Sequence, residues 1–239
     1  MQRIERLPLD DAAVRKLLKL TQRVAAAPNQ QVTARELWAA LDKGLKDEIH
    51  SVLAEMSTGL ERCMYCEDSQ GTDIEHFRPK ADYPEHAFAW LNYLLACSRC
   101  NSNHKRNRFP LDASGEPMLI DPTFDDPADH LSLSPTTGMY AALDAKGAAT
   151  IDVCGLNRNV CATGRANAWT ALECLIASYV RSVVDGRPSR AGKILDALRQ
   201  YPFQSVRSMM SRIYREAEDP ALLLADDVLL AFKEHPELI

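Results

Sequence analysis

Residues 63–105 read CMYCEDSQGTDIEHFRPKADYPEHAFAWLNYLLACSRCNSNHK, and the remainder of the chain is understood from this stretch outward. Two Cys-x-x-Cys pairs, Cys63/Cys66 and Cys97/Cys100, enclose Glu75-His76, and Asn101 follows the last cysteine directly. A Cys-x-x-Cys step turns two thiolates toward one point, and a second pair completes a tetrahedral set. Zinc suits four thiolates because it binds them without redox chemistry. Such a site has no open position, so the zinc is expected to be structural, pinning the first knuckle to a helix that starts near Cys97. Buried free cysteines are the competing explanation, serious for one pair and outweighed by two in this order.

Within the stretch, Ile74–Phe77 reads as a short strand. Pro79 and Pro84 impose loop structure, and Ala87–Ala96 is apolar. Cys97–Arg106 can open a helix that Pro110 must end.

N-terminal to it, residues 9–26 place Val14, Leu17, Leu18, Leu20 and Val24 near helical spacing. Thr33 to Glu36 reads as a capping box opening a second helix that carries Leu37, Trp38, Leu41, Leu45, Ile49, Val52 and Leu53, with Gly59 as its stop. Both helices are expected to be packing scaffold. C-terminal to it, residues 111–135 are rich in Asp and Pro and read as an ordered connecting loop. Thr137–Leu143 and Ala148–Val153 flank Asp144–Gly147 as a hairpin. Helices follow from Arg165, broken at Gly186-Arg187-Pro188. The expected fold is mainly α, classed α+β, with a small ββα zinc-bound module between helical arms. The expected division is residues 1–60, 61–110 and 111–239.

The 239 residues are 46% hydrophobic, enough for a substantial core. No apolar run approaches a membrane span, and the N-terminus has no apolar leader. Seven cysteines, four of them in metal-type pairs, argue for reduced thiols and a cytoplasmic location. Cys154, Cys161 and Cys174 have no such pairing and read as small buried hydrophobes. A net charge of −5 gives no global attraction to nucleic acid, so any such surface must be local. Arg99, Lys105, Arg106 and Arg108 cluster on and after the Cys97 helix, and Arg78 and Lys80 follow His76. A basic rim of this kind suits phosphate backbone binding. The arginines and lysine from Arg187 to Arg215 read as a solvated helical face.

The pattern Cys63, Cys66, Glu75, His76, Asn92, Cys97, Cys100, Asn101 resembles the HNH endonucleases, whose site is a ββα-metal module. The match covers roughly residues 61–110. The wording Ile-Glu-His-Phe-Arg-Pro-Lys at 74–80, Cys-Asn-Ser-Asn-His-Lys at 100–105 and Gly-Leu-Asn-Arg at 155–158 is more particular. It is similar to the HNH nuclease subunit of Septu-type anti-phage defence systems, also found beside retrons.

The resemblance implies a metal-dependent phosphodiester hydrolase. His76 would be the general base, and Asn92 would hold its ring through a hydrogen bond. Glu75 and Asn101 would hold one hard cation, Mg²⁺ or Mn²⁺, through oxygen. Many relatives carry a second metal-binding histidine four residues after the first helical ligand, where this chain has Lys105. His104 lies beside it and could meet the ion, the phosphate or only solvent. The implied substrate is DNA of phage or host, with tRNA or other RNA as the alternative, and the implied partner is an ATPase subunit. No membrane partner is implied. Two other functions fit the same residues: a non-catalytic zinc-knuckle binding or adaptor protein, and a stand-alone HNH restriction nuclease. A pure zinc knuckle has no use for Glu75-His76, and a neighbouring ATPase gene would separate the defence subunit from the restriction enzyme.

Overall fold

A computed structural model describes residues 1–239. The chain opens with helix α1, Asp11–Ala25, whose first turn is capped by Asp10 accepting from the Ala12 amide at 2.7 Å. Helix α2, Gln30–Ala39, is capped by Asn29, and helix α3, Lys43–Met56, by Asp42. The single helix expected from Thr33 to Leu53 is therefore two helices. Asp42 accepts from the Leu45 amide at 3.0 Å and starts a new helix, while Thr33 lies inside α2. Helix α3 buries Leu45, Ile49, Leu53 and Met56, one stripe at helical spacing.

Strands β1, Asp73–His76, and β2, Tyr93–Ala96, then pair antiparallel, with Asp73 opposite Ala96 and His76 opposite Tyr93. All four residues of β2 are buried, since the strand runs beneath α3. A π-helix, Arg99–Lys105, completes the ββα order. Its i→i+5 bonding is seen at the Arg106 amide, which donates to the Asn101 carbonyl at 2.7 Å.

The hairpin after the module forms between β3, Leu131–Leu133, and β4, Tyr140–Ala142. Ala148–Val153, expected as its second strand, instead belongs to helix α4, Ala145–Cys154. Asp144 caps that helix on the Gly147 amide at 2.7 Å, and Gly155 ends it at φ +61°. The β-branched residues Thr150, Ile151 and Val153 favour a strand locally, but two strong caps override a propensity spread of at most about 1 kcal/mol.

Four helices finish the chain: α5, Asn159–Val184; α6, Pro188–Gln200; α7, Gln204–Glu216; and α8, Asp226–Glu234. The break between α5 and α6 falls at Gly186–Arg187, as the sequence implies. The structure is mainly helical, with two small sheets. One cluster of buried apolar side chains runs through all parts, from Leu17 and Leu53 through Leu95 to Trp169 and Phe232. No helix is long and apolar enough to cross a membrane.

A polar junction ties the first knuckle to this core. Buried Glu67, next to Cys66, receives the Met1 ammonium at 2.9 Å, the Ser205 amide at 3.2 Å and the Ser205 hydroxyl. Arg165 lies 4.3 Å over the Tyr140 ring and donates to the carbonyls of Gly138 and Leu156. Cys154 and Cys161 are buried as expected, whereas Cys174 is exposed on α5.

Candidate nuclease site and its zinc clamp

Cys63, Cys66, Cys97 and Cys100 are all buried, and their sulfur atoms lie within 4.8 Å of one another. Tetrahedral zinc with bonds of about 2.3 Å requires sulfur–sulfur distances near 3.8 Å. The Cys66 and Cys97 sulfurs stand 3.9 Å apart, so the cluster fits a zinc ion. The Cys100 amide donates to Cys97 Sγ at 3.5 Å, a contact suited to a thiolate.

The segment Gly155–Arg158 closes the clamp from behind. Arg158 directs both terminal nitrogens at Cys100 Sγ, each at 3.5 Å, and donates to the Gly155 carbonyl. Asn157 accepts from the Tyr140 amide and donates to its carbonyl, holding β4 against the start of α5. Sequence spacing carries no signal that Arg158 would meet the second Cys pair, 58 residues away.

Beside the clamp, β1 ends at a cleft of about 630 Å³ whose floor contains Glu75 and His76. Strand alternation sends Glu75 and His76 to different sides, and the end of β1 lets both reach the cleft. His76 is 5% exposed. Its Nε2 meets the Ala87 carbonyl at 3.0 Å, and because a carbonyl only accepts, Nε2 carries the proton and Nδ1 the lone pair. Tyr93 donates to the same carbonyl at 2.8 Å. Burial, reinforced by the Lys80 charge, pushes the imidazole pKa down to about 3, so the ring is a neutral base across the ordinary pH range.

Asn92 does not hold this ring. Its side chain accepts from the Arg78 amide at 2.7 Å and donates to the carbonyls of Arg78 and His86. It ties down the loop after β1, and the backbone of Ala87 takes the role expected of it.

Lys105 departs from the expected phosphate rim as well. It is fully buried, so its charge is not available to a phosphate at the surface. Its ammonium lies 2.5 Å from Glu75 Oε1 and donates to the His76 carbonyl at 3.0 Å. The approach to Oε1 lies outside hydrogen-bond angles, so that oxygen has a close charge but no directed donor. Burial pushes the Glu75 carboxyl above its usual range, and Lys105 opposes that shift.

His104 faces away from the cleft. Its ring packs on Gly155, where an added Cβ would come within 2.5 Å of Nδ1. The wider π turn advances each residue through a smaller angle than an α turn does, so residue i+3 stops short of the Asn101 face and His104 and Asn101 part company. Asn101 lines the cleft, and its Nδ2 donates to Asp73 Oδ2 at 3.0 Å. Its Oδ1 has no protein hydrogen bond. Lys105 already occupies Glu75 Oε1, so a hard divalent cation held by these two residues would take the Asn101 amide oxygen and the other Glu75 oxygen, Oε2.

The expected basic rim divides. Lys80 and Arg106 line the Glu75–His76 cleft. Arg78 is half-buried over the rings of Tyr83 and Phe109 and faces a neighbouring cleft with Asn92. Arg99 is exposed but outside the cleft, and Arg108 pairs with Asp152. Arg106 holds a backbone φ of +52°, unusual for a long side chain, directly at the end of the π-helix. Asp73 and Arg35 escaped sequence reasoning. Alternation along Asp73-Ile74-Glu75 could have revealed that Asp73 shares a face with Glu75. Nothing local marks Arg35.

Fold and site together define an α+β chain built around a four-cysteine ββα module. The chain is similar to the Septu protein PtuB of Bacillus mycoides (strain KBAB4), 34% identical over 145 residues, covering 47% of this chain and 48% of that one. It is also similar to the Septu protein PtuB of Bacillus thuringiensis, 36% identical over 118 residues, covering 47% of this chain and 42% of that one. The chain thus spans about half the length of the curated relatives it matches. No family model matches it.

Proposed function

We propose that the chain is a metal-dependent endonuclease of the HNH type, hydrolysing phosphodiester bonds in nucleic acid, with DNA as first choice and RNA as the alternative. The similarity to proteins named for Septu supports a place in an anti-phage defence complex, with an ATPase as partner. The observation that carries the reading is the His76 ring. It is neutral, its tautomer is set by the Ala87 carbonyl, which leaves Nδ1 without a proton, and the residue lines a cleft together with Lys80 and Arg106.

In this reading Nδ1 takes the proton of the attacking water. Lys80 and Arg106 hold the phosphates flanking the cut. Glu75 and Asn101 would hold Mg²⁺, or Mn²⁺ in its place, and such an ion supplies charge stabilisation at the phosphate and the leaving oxygen when bound. Zinc at the four cysteines keeps the strands and helix in register.

The second reading, a non-catalytic zinc module, gains from the Lys105–Glu75 pair, which neutralises the carboxylate a metal would need. A cleavage assay on DNA and RNA with Mg²⁺ and the neighbouring ATPase separates the two. Wild type should cleave and His76→Ala should lose about 10²–10⁴-fold while keeping its zinc. Full activity in His76→Ala would remove this mechanism.

A further inference from the structure

The Glu75–His76 cleft is not closed by the ββα module alone. Its second wall is helix α2, which contributes Gln31, Val32 and Arg35 opposite Lys80, Asn101 and Arg106. These three positions share one face of α2, at spacings of i, i+1 and i+4. The next residue on that side, Trp38, stands over the base. Its ring centroid lies 4.3 Å from that of His76, with the planes at 76°. Tyr93 approaches the same imidazole edge-on at 5.2 Å. Trp38 also offers its face to Lys80 at 5.8 Å and to Lys46 at 5.5 Å.

We propose that α2 is a working part of the hydrolytic centre, with Trp38 as a positioning residue for His76 and Arg35 as a contact to the phosphate backbone of the substrate. This rests on the nuclease reading above and adds residues outside the module that carries it.

Three features support it. First, the hydrogen bond from His76 Nε2 to Ala87 fixes one point of the ring and leaves rotation about that axis to be restrained by packing. Trp38 and Tyr93 supply the restraint from two directions, and edge-to-face ring contacts are favourable in that geometry. Second, Arg35 is exposed, has no carboxylate within ion-pair distance and makes no side-chain hydrogen bond, as is also true of Arg106 across the cleft. Two unpaired guanidinium groups lining one cleft add to its positive potential, which an anion bound there would offset. Third, the cleft lining holds three cations, Arg35, Lys80 and Arg106, against the single carboxylate of Glu75, which Lys105 already pairs. In a chain of net charge −5 this is a local positive pool, and a polyanion is the matching ligand.

The test uses the full chain together with its ATPase partner and a fluorescent oligonucleotide as probe, in single-stranded and duplex form. Arg35→Ala should weaken oligonucleotide binding several-fold and lower the salt dependence by about one counterion, while Arg35→Lys restores most of both. Trp38→Ala should leave the oligonucleotide Kd near wild type and lower kcat, and Trp38→Phe should recover most of the loss. A readout apart from activity is carbethoxylation of His76 followed by mass spectrometry: Trp38→Ala should speed it and Trp38→Phe should not. Zinc content and melting temperature report whether each variant folds. Arg35→Ala binding with wild-type affinity and salt slope would overturn the phosphate contact. Trp38→Ala with wild-type kcat and wild-type labelling would overturn the positioning role. Wild-type protein that neither binds nor cleaves any probe would instead remove the nuclease reading itself.

Discussion

Both terminal nitrogens of Arg158 lie 3.5 Å from the sulfur of Cys100. Four thiolates on one divalent ion carry a net double negative charge, and in a buried cluster that charge needs a counterion. Arg158 is placed to supply it from the opposite side of the fold. Arg158→Ala should therefore hold zinc about 10–100-fold more weakly in competition with a chelator, as is usual for outer-shell partners of a metal site. Arg158→Lys should recover part of the affinity, since it restores charge without the two-pronged geometry. Zinc release followed with a colorimetric chelator measures both.

Lys105→Met should be far more damaging than an ordinary surface substitution. It would strand the buried Glu75 carboxylate, and breaking a buried pair by removing one partner costs about 3–5 kcal/mol. Adding Glu75→Gln should recover a large part of that loss, because the stranded charge is then absent. Urea unfolding of the wild type, both single variants and the double variant provides the cycle.

His76 should make stability fall on mild acidification. Its folded pKa is about 3 and its unfolded value about 6.5, so between those limits the unfolded chain binds a proton that the folded chain excludes. The contribution is complete above about pH 6.5 and shrinks by up to about 1.4 kcal/mol per pH unit below it. Glu75, shifted upward, acts in the opposite sense over its own range. Subtracting the pH–stability curve of His76→Ala from that of the wild type isolates the histidine, and a flat difference between pH 4 and 6.5 would contradict its burial as a neutral base.

Gly155→Ala should destabilise the protein on two counts. The position holds φ +61°, which costs a residue with a Cβ about 1–2 kcal/mol, and the new methyl would meet the His104 ring at 2.5 Å. The double variant Gly155→Ala/His104→Ala should regain the steric part and keep the backbone part. Thermal melts of the two variants separate the contributions.

The cysteine clamp, the first strand and the helical arms were legible because each depends on residues near one another in sequence, whereas β2 showed only as an apolar run. The split between α2 and α3 was legible too, in Asp42, had the cap been weighed above the continuing apolar stripe. What lay beyond reach was set by distant neighbours. Asn92 holds a loop because His86 and Arg78 return to it, and Lys105 is buried because β1 runs under it. The π turn defeats any reading by α-helical spacing, which is why His104 leaves the Asn101 face for Gly155 and Lys105 turns inward onto Glu75. Trp38 and Arg158 come from segments on either side of the module and meet it only in the folded chain.

The clamp joins Cys66 to Cys97, 31 positions apart, and the segment between them carries both strands, Glu75, His76 and Asn92. Closing a loop of that length costs entropy that two four-residue strands return only in part. A zinc ion captured by the four cysteines would supply the difference, and maturation of a newly made chain would then be paced by zinc supply. Under zinc starvation the competent pool would then follow availability of the ion instead of the rate of synthesis, and nutrient status would become an input to how much of the protein can act.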